Sequence, residues 1–312
     1  MKFKDKKDYE DYIKKERQDH FITPFDLAYE TFVQLKFDKK PVDFFRQNAS
    51  SFIEQMRDAC WKDFQEHEKE FTRRMLVSLI DKNKYESLDP IEAIEDFVTE
   101  YPDYLYSLCL SNTQSRRSRA GKEFEAILEL LLVGCDILVD SQGVVGKKTF
   151  EEFGLGKLVD FVSPGAVHFT MNKRYTTLIS AKTTLRERWQ EVPEEVDRTG
   201  ISQMYLATLD ENITGETLDI LYEKNITIAT TCSNKDCKYQ EHANVESFEK
   251  MVSEALENAR KWDDVSFKDV QAQKIIDNFN NQLKRHANHE YLRNYYQNKL
   301  DNFSKQVGKS NK

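Results

Sequence analysis

Short apolar runs alternate with helical patterns between residues 136 and 231, and no other feature limits the possible folds of the chain as strongly. Strands are predicted at 136–139, 157–162, 175–182, 204–209 and 226–231, and helices at 194–200 and 216–224. Strands and helices that alternate at this spacing are typical of an α/β layer with some parallel pairing. We therefore expect a mixed central sheet here.

The regions on both sides of this layer have helical patterns. Residues 50–79 form a long charged stretch in which four apolar residues recur every fourth position: Phe52, Met56, Cys60 and Phe64. No glycine occurs before Gly121, and an apolar helix stripe over 124–131 is followed by Gly134, a residue suited to end a helix. Beyond Val245 the pattern is helical again. The predicted fold is thus a mixed sheet with a helical N-terminal region and C-terminal helices.

The charge distribution concentrates positive residues in two places. The chain has a net charge of −8, which argues against a protein that binds nucleic acid by phosphate neutralisation alone. Residues 114–122 and 173–188 are nevertheless rich in arginine and lysine. These clusters are either solvated faces or a local surface for a polyanion.

The cysteines and termini predict a protein of a reducing compartment. Five scattered cysteines do not suit a disulfide framework, and the charged N-terminus is not a secretory signal. No apolar stretch is long enough to cross a membrane, so we expect a cytoplasmic protein. Cys232, Cys237 and His242 supply three of the four ligands of a structural zinc site, and we favour a turn after a strand instead.

Asp160 and Lys182 lie in two successive strand candidates, and a hairpin would bring their side chains together at one end of the sheet. A carboxylate and an ammonium group there could hold a divalent metal against a phosphodiester and assist an attacking water. Ser180 stands where a second carboxylate is expected, and Glu195, on the following helix, could supply that charge. The alternative is an ordinary ion pair at the strand ends.

The segments Val-Asp-Phe-Val, Ile-Ser-Ala-Lys, Arg-Glu-Arg and Glu-Glu, within residues 159–195, resemble Type II restriction endonucleases of the PD-(D/E)xK superfamily. The resemblance is closest to the SsoII, PspGI and EcoRII group, in which serine replaces the second acid of the motif and that role has moved downstream. It covers about residues 110–200 best. It implies a bacterial enzyme of a restriction-modification system that cuts sites with a CC…GG core.

This resemblance implies a set of site residues. Asp160 and Glu195 become metal ligands, with the backbone carbonyl of Ala181 as a further contact, and Lys182 orients or activates the attacking water. Glu125 matches an additional acid on the helix before the first strand, although exposed helical glutamates are common. Mg²⁺ is the expected metal because it prefers oxygen ligands.

Residues that read DNA are predicted directly after the lysine. Arg186 and Arg188 can each donate two bonds to guanine, and Glu187 can accept from cytosine. The resemblance assigns this Arg-Glu-Arg run to recognition of the CC/GG core, and Gln114 to a minor-groove contact. Without the resemblance the run reads as an ordinary charged helix start.

Arg57 and Trp61 are one helical turn apart and so lie on the same face of a predicted helix. A guanidinium and an indole can enclose a planar base, and the resemblance implies that the central nucleotides are extruded into such a pocket. The alternative is a core tryptophan with an arginine that extends along it to solvent.

The expected function is hydrolysis of both strands of duplex DNA at a CCNGG-type site, with Mg²⁺, by a homodimer that can associate further on DNA. Three regions are expected: 1–110, helical, for DNA contacts and dimerisation; 111–240, the endonuclease core; and 241–312, C-terminal helices packed on the core. Two alternatives stay open at this point. One is a structure-selective repair or junction-resolving nuclease, and the other is a non-catalytic helical binding protein.

Overall fold

The computed structural model describes residues 3–155, 159–185, 188–201 and 203–310, without the side chains of Thr149, Arg188, Glu191, Glu195, Arg198 and residues 308–310. The helices before the sheet are α1 (Lys6–His20), α2 (Pro24–Gln34), α3 (Val42–Gln47), α4 (Ala49–Val77), α5 (Lys82–Tyr85), α6 (Pro90–Glu100) and α7 (Pro102–Gly134). Those that follow are α8 (Gln142–Val145), α9 (Lys147–Glu152), α10 (Ala166–Met171), α11 (Glu191–Thr199), α12 (Gly215–Glu223), α13 (Cys232–Lys238), α14 (Phe248–Arg260), α15 (Asp269–Arg285) and α16 (Glu290–Ser310). Short 3-10 turns occupy Phe37–Lys39, Lys173–Tyr175 and Arg188–Gln190.

The described strands form one mixed sheet in chain order: β1 (Asp140–Ser141), β2 (Phe161–Ser163), β3 (Thr177–Lys182), β4 (Met204–Thr208), β5 (Ile226–Thr230) and β6 (Val245–Ser247). β1, β2 and β3 pair antiparallel, whereas β3 to β6 pair parallel. All six residues of β3 are buried, as expected of a strand with both faces covered. The predicted fold class, a mixed sheet with helical N- and C-terminal regions, is confirmed.

One predicted strand is wrong. Residues 136–139 form the connection between α7 and β1, and β1 begins only at Asp140. Asp136 has a φ of 63°, and the amide of Ile137 donates to the carbonyl of Leu132, so the backbone turns sharply at the end of α7. Apolar content alone does not separate such a buried connection from a strand.

The segment after β5 also differs from its prediction. A turn was expected at Cys232, and helix α13 begins there instead, because the Thr231 side chain accepts from the amide of Asn234 and caps the helix. Among the residues that the structure describes, no three His, Cys, Asp or Glu side chains come together as a metal site.

The chain divides into two compact units. The first comprises Met1–Thr31 and Arg57–Glu123, and the second comprises Phe32–Met56 and Phe124–Lys312. In the first unit, aromatic and aliphatic side chains of α1, α4 and α7 form a core. In the second, the sheet and its flanking helices bury a larger core that includes Val162, Leu206 and Ile228. None of the described helices is both long and apolar enough to cross a membrane.

Candidate active site

The antiparallel pairing of β2 and β3 places Asp160 beside the end of β3. Phe161 lies opposite Ile179, and the amide of Asp160 donates to the carbonyl of Ile179 at 3.0 Å. Asp160 therefore precedes β2 by one residue while it remains in register with β3. Alternate residues of a strand share a face, so Ser180 and Lys182 lie on one side of β3.

The side chains of Asp160 and Lys182 meet at this position, as the hairpin prediction required. Lys182 Nζ lies 3.3 Å from Asp160 Oδ2 and donates to the Ala181 carbonyl oxygen at 3.1 Å. The same Oδ2 accepts from the Ala181 amide at 2.6 Å and contacts the Ser180 hydroxyl at 3.5 Å. The Lys182 and Asp160 side chains are 6% and 13% exposed. Their charges are therefore paired where little water screens them.

The oxygen atoms at this centre suit a hard divalent cation. Asp160 Oδ2 and the Ala181 carbonyl oxygen, two of the predicted ligands, both contact the Lys182 ammonium group, so they already converge on one positive charge. Carboxylate and carbonyl oxygens are the ligands that Mg²⁺ accepts, with water and substrate phosphate in the remaining positions. The donor set thus fits the predicted ion.

Glu195, the third predicted ligand, belongs to α11. The predicted helix at 194–200 is confirmed as Glu191–Thr199, and Gly200 ends it with a φ of 63°, a left-handed conformation that glycine adopts without strain. The Glu195 side chain lies outside the described part of the chain.

The remaining acid and those predicted DNA readers that the structure describes lie on α7 and on the 3-10 turn before α11. Glu125 is half-buried on α7 and belongs to the second unit, whereas Gln114 is exposed on the same helix and belongs to the first. Arg186 and Glu187 lie outside the described residues. Arg188 begins the 3-10 turn before α11, and its side chain is not among those described. The reading of the CC/GG core therefore stays a prediction.

Arg57 and Trp61 lie on α4 and have different partners. Arg57 Nη1 donates to Glu123 Oε1 at 2.6 Å. The Trp61 ring is 39% exposed, so Trp61 is not the core residue of the alternative interpretation. It lies 5.9 Å from the Phe64 ring in a stacked orientation, and the Arg116 guanidinium lies 5.9 Å from its centroid.

Two buried acids next to these residues are not among the predicted site residues. Glu123 and Glu68 are 4% and 3% exposed, and they bind Arg57 and Arg116, respectively. Burial raises the pKa of Glu123, and the nearby Arg57 opposes that shift. A signal was present for Glu123, because it precedes the core residue Ile127 by four positions and so shares the buried face of α7.

Comparisons with known proteins identify the family. The family model described as EcoRII C terminal matches residues 82–252, more than half of the chain. The Type II restriction enzyme SsoII of Shigella sonnei is 54% identical over 288 residues, which cover 92% of this chain and 94% of SsoII. This chain belongs to the EcoRII C-terminal family. The predicted enzyme class, a Type II site-specific deoxyribonuclease, is confirmed.

Solved structures agree with this membership. Metal-depleted Ecl18kI in complex with uncleaved, modified DNA has a TM-score of 0.91 and 52% identity, over 95% of this chain and 99% of the Ecl18kI chain. A complex of PspGI endonuclease with substrate DNA has a TM-score of 0.58 and 18% identity, over 77% of this chain and 94% of PspGI. The PspGI match shows a common fold. This EcoRII C-terminal family member therefore shares its fold with restriction endonucleases.

Proposed function

We propose that this endonuclease hydrolyses both strands of duplex DNA at a CCNGG-type site in a Mg²⁺-dependent reaction that leaves 5′-phosphates. The observation that carries the proposal is the contact of the Lys182 ammonium group with both Asp160 Oδ2 and the Ala181 carbonyl oxygen.

Asp160, Glu195 and the carbonyl oxygen of Ala181 would hold the ion, and Glu125 is a further acid for the same centre. When bound, Mg²⁺ supplies positive charge that offsets the charge developing on the phosphoryl oxygens and favours deprotonation of a water. This assignment is supported by the oxygen donors that converge here, and by Ecl18kI, whose DNA is uncleaved in the metal-depleted complex.

Lys182 would act as a hydrogen-bond donor. Its ammonium group has three N–H donors, of which one is directed at Asp160 and one at Ala181. The third can hold the attacking water or a phosphate oxygen. The water oxygen bonds to phosphorus while the bond from phosphorus to the 3′ oxygen breaks. The attacking water releases one proton to solvent and the leaving 3′ oxygen takes one up from solvent, which yields a 5′-phosphate and a 3′-hydroxyl. In this step the paired group would donate a hydrogen bond and add positive charge, so Lys182 would orient the water.

For the DNA site, we assign the CC/GG core to Arg186, Glu187 and Arg188, with Gln114 as a minor-groove contact. The donors and acceptors of the Arg-Glu-Arg run match two G·C pairs in the major groove. Arg57 and Trp61 form the pocket for the extruded central base. The 39% exposure of Trp61 supports a pocket that a base can enter.

For the assembly, we propose a homodimer, since a double-strand break at a symmetric site needs one active centre for each strand. The same proposal includes the assembly of dimers into a higher oligomer on DNA. Residues 1–110 would supply DNA contacts and dimerisation, 111–240 the catalytic core, and 241–312 the supporting helices. We place the enzyme in the bacterial cytoplasm with its substrate; the relative SsoII is a Shigella sonnei protein.

The test is cleavage of a plasmid with a single CCNGG site, in the presence of Mg²⁺ or of EDTA, followed by mapping of the ends. We expect one linear product with Mg²⁺, none with EDTA, and 5′ ends that ligate without prior phosphorylation. Nicking at junctions or bulges irrespective of sequence would favour a structure-selective nuclease. Intact DNA with every divalent ion would contradict the proposal.

A further inference from the structure

Helix α15 places two buried polar side chains against the start of the sheet. Asn278 and Gln282 are four residues apart and so lie on one face of α15, and they are 9% and 1% exposed. Their neighbours on the buried face, Ala272, Ile275 and Phe279, are apolar. A polar side chain in such a stripe costs stability unless it is hydrogen-bonded. Their bonding partners therefore indicate what the two residues do.

Both partners lie at β1. Asn278 Nδ2 donates to Asp140 Oδ2 at 2.8 Å, and Gln282 Nε2 donates to the Val139 carbonyl oxygen at 3.2 Å. Asp140 Oδ2 also accepts from the amide of Ala166, which follows β2, at 2.9 Å. The Asp140 carboxylate thus joins α15, β1 and the segment after β2. Hydrogen bonds to a carboxylate are shorter and stronger than those between neutral groups.

Asp140 is tightly packed and leaves no room for a side chain at Gly165. A Cβ on Gly165 would lie 2.7 Å from Asp140 Oδ2, closer than real Cβ contacts allow. Burial also raises the pKa of Asp140 to about 6. At neutral pH the carboxylate is held by neutral N–H donors.

β1 in turn holds the backbone of Asp160. Two residues beyond Asp140, the amide of Gln142 donates to the Asp160 carbonyl oxygen at 2.9 Å, and Gln142 Nε2 lies 3.3 Å from the Val159 carbonyl oxygen. Ser141 lies opposite Phe161 in the sheet. Hydrogen bonds and the short strand β1 therefore connect α15 to the backbone of Asp160, whose carboxylate faces Lys182.

We propose that Asp140, Asn278 and Gln282 are positioning residues, through which α15 holds Asp160 in the geometry that catalysis needs. This role rests on the proposed function of Asp160, and it gives the C-terminal helix α15 a part in cleavage without contact with the reacting atoms. A displacement of about 1 Å at a reacting group can cost about 100-fold in rate, so a support of this kind can control activity.

The first experiment compares Asn278→Ala with Asn280→Ala, an exposed asparagine on the same helix. Single-turnover cleavage with Mg²⁺ and DNA binding without metal are measured well below the unfolding temperature, per folded protein. We expect Asn278→Ala to cleave at least about tenfold more slowly while its Kd for DNA stays within about threefold. Equal rates for the two variants would overturn the proposal.

A second comparison tests the contact itself. Asn278→Asp sets two carboxylates against each other and is expected to slow cleavage at least as much as Asn278→Ala. Addition of Asp140→Asn restores one donor and one acceptor across the pair, and we expect it to recover most of the rate. A double variant as slow as Asn278→Asp would contradict a role for this hydrogen bond.

A readout without catalysis separates this proposal from the proposed function. The amide of Ala181 donates to Asp160 Oδ2, so its hydrogen exchange reports on the position of that carboxylate. We expect faster exchange at Ala181 in Asn278→Ala than in Asn280→Ala. Unchanged exchange would overturn the positioning role, even if the wild-type enzyme cut DNA as proposed. If the wild-type protein cut no DNA but the exchange difference at Ala181 were present, the proposed function would be refuted. The structural connection between Asn278 and Asp160 would still be supported.

Discussion

The Asp160–Lys182 centre and the Arg57–Trp61 face differ in what holds their side chains. The first is held by sheet register, because Asp160 bonds to the backbone of β3 and Lys182 is a residue of that strand. The second lies on a helix, and its side chains are oriented by distant partners such as Glu123 and Arg116. Backbone pairing specifies the contact between Asp160 and Lys182, whereas tertiary packing specifies the orientation of the side chains on the helix face.

The largest expected effect is that of Asp160→Asn on cleavage. Asparagine can still accept from the Ala181 amide, but it removes the negative charge that pairs with Lys182 and that, in our proposal, binds the ion. We expect single-turnover cleavage with Mg²⁺ to fall by about 1000-fold. DNA binding without metal should persist. A variant that cleaves within about tenfold of wild type would show that register alone does not define the centre.

The next effect concerns the helix face. Arg57→Ala leaves the buried Glu123 without the cation that donates a hydrogen bond to it, and we expect it to lower the free energy of unfolding by about 2 kcal/mol. Glu123→Gln retains a hydrogen-bond acceptor and should cost less. Urea unfolding measures both, with Arg117→Ala, an exposed arginine of α7, as the control. Equal stability of Arg57→Ala and Arg117→Ala would show that the contact with Glu123 does not hold the helix face in the way proposed.

The variant Trp61→Ala distinguishes a role of Trp61 in the base pocket from a role in packing. Because Trp61 is 39% exposed, its removal should cost less than about 1 kcal/mol of stability. Its loss should weaken DNA binding by about tenfold, since stacking on a base contributes about 1–3 kcal/mol. The fluorescence of 2-aminopurine at the central position of the site measures extrusion directly. A large stability loss with unchanged fluorescence would mean that Trp61 only packs.

The smallest effect is a dependence of stability on pH. Burial raises the pKa of Asp140 from 3.8 to about 6, so the folded protein keeps this proton at a pH where the unfolded chain has lost it. The contribution of Asp140 to stability therefore falls as pH rises from about 4 to 6. Burial lowers the pKa of His168 from 6.5 to about 4, which favours unfolding as pH falls through that range.

The two groups act in opposite directions, and Asp140→Asn separates them. Without the Asp140 carboxyl, unfolding free energy should fall more steeply on acidification from pH 6 to 4 than in wild type. Urea unfolding at several pH values measures this slope. Parallel curves for the two proteins would mean that Asp140 does not bind its proton as its burial indicates.

Much of the sheet and its central contact could be predicted from local sequence. Both ends of β3, β4 and β5 lie within two residues of the predicted ends, and α11 ends one residue before its predicted end. The periodicity of apolar residues and the glycine that ends a helix are local signals, so they can be recognised in the sequence. Asp160 and Lys182 were expected to meet because antiparallel neighbours share an end of the sheet.

The remainder depends on long-range partners without a local signal. Glu123 lies 66 residues from Arg57, and Asn278 lies 138 residues from Asp140. The sequence pattern around Glu123 or Asn278 does not indicate which residue it binds. The apolar run at 136–139 was misassigned for a related reason, since a buried connection and a buried strand have the same composition.

The most direct measurement is single-turnover cleavage of a CCNGG duplex by Lys182→Ala, compared with Lys148→Ala on α9, whose side chain is 92% exposed. With Mg²⁺, we expect Lys182→Ala to lose about 1000-fold in rate while it still binds DNA, and Lys148→Ala to match wild type. If Lys182→Ala cut the duplex as fast as Lys148→Ala, the contact between Lys182 and Asp160 would not be the catalytic centre.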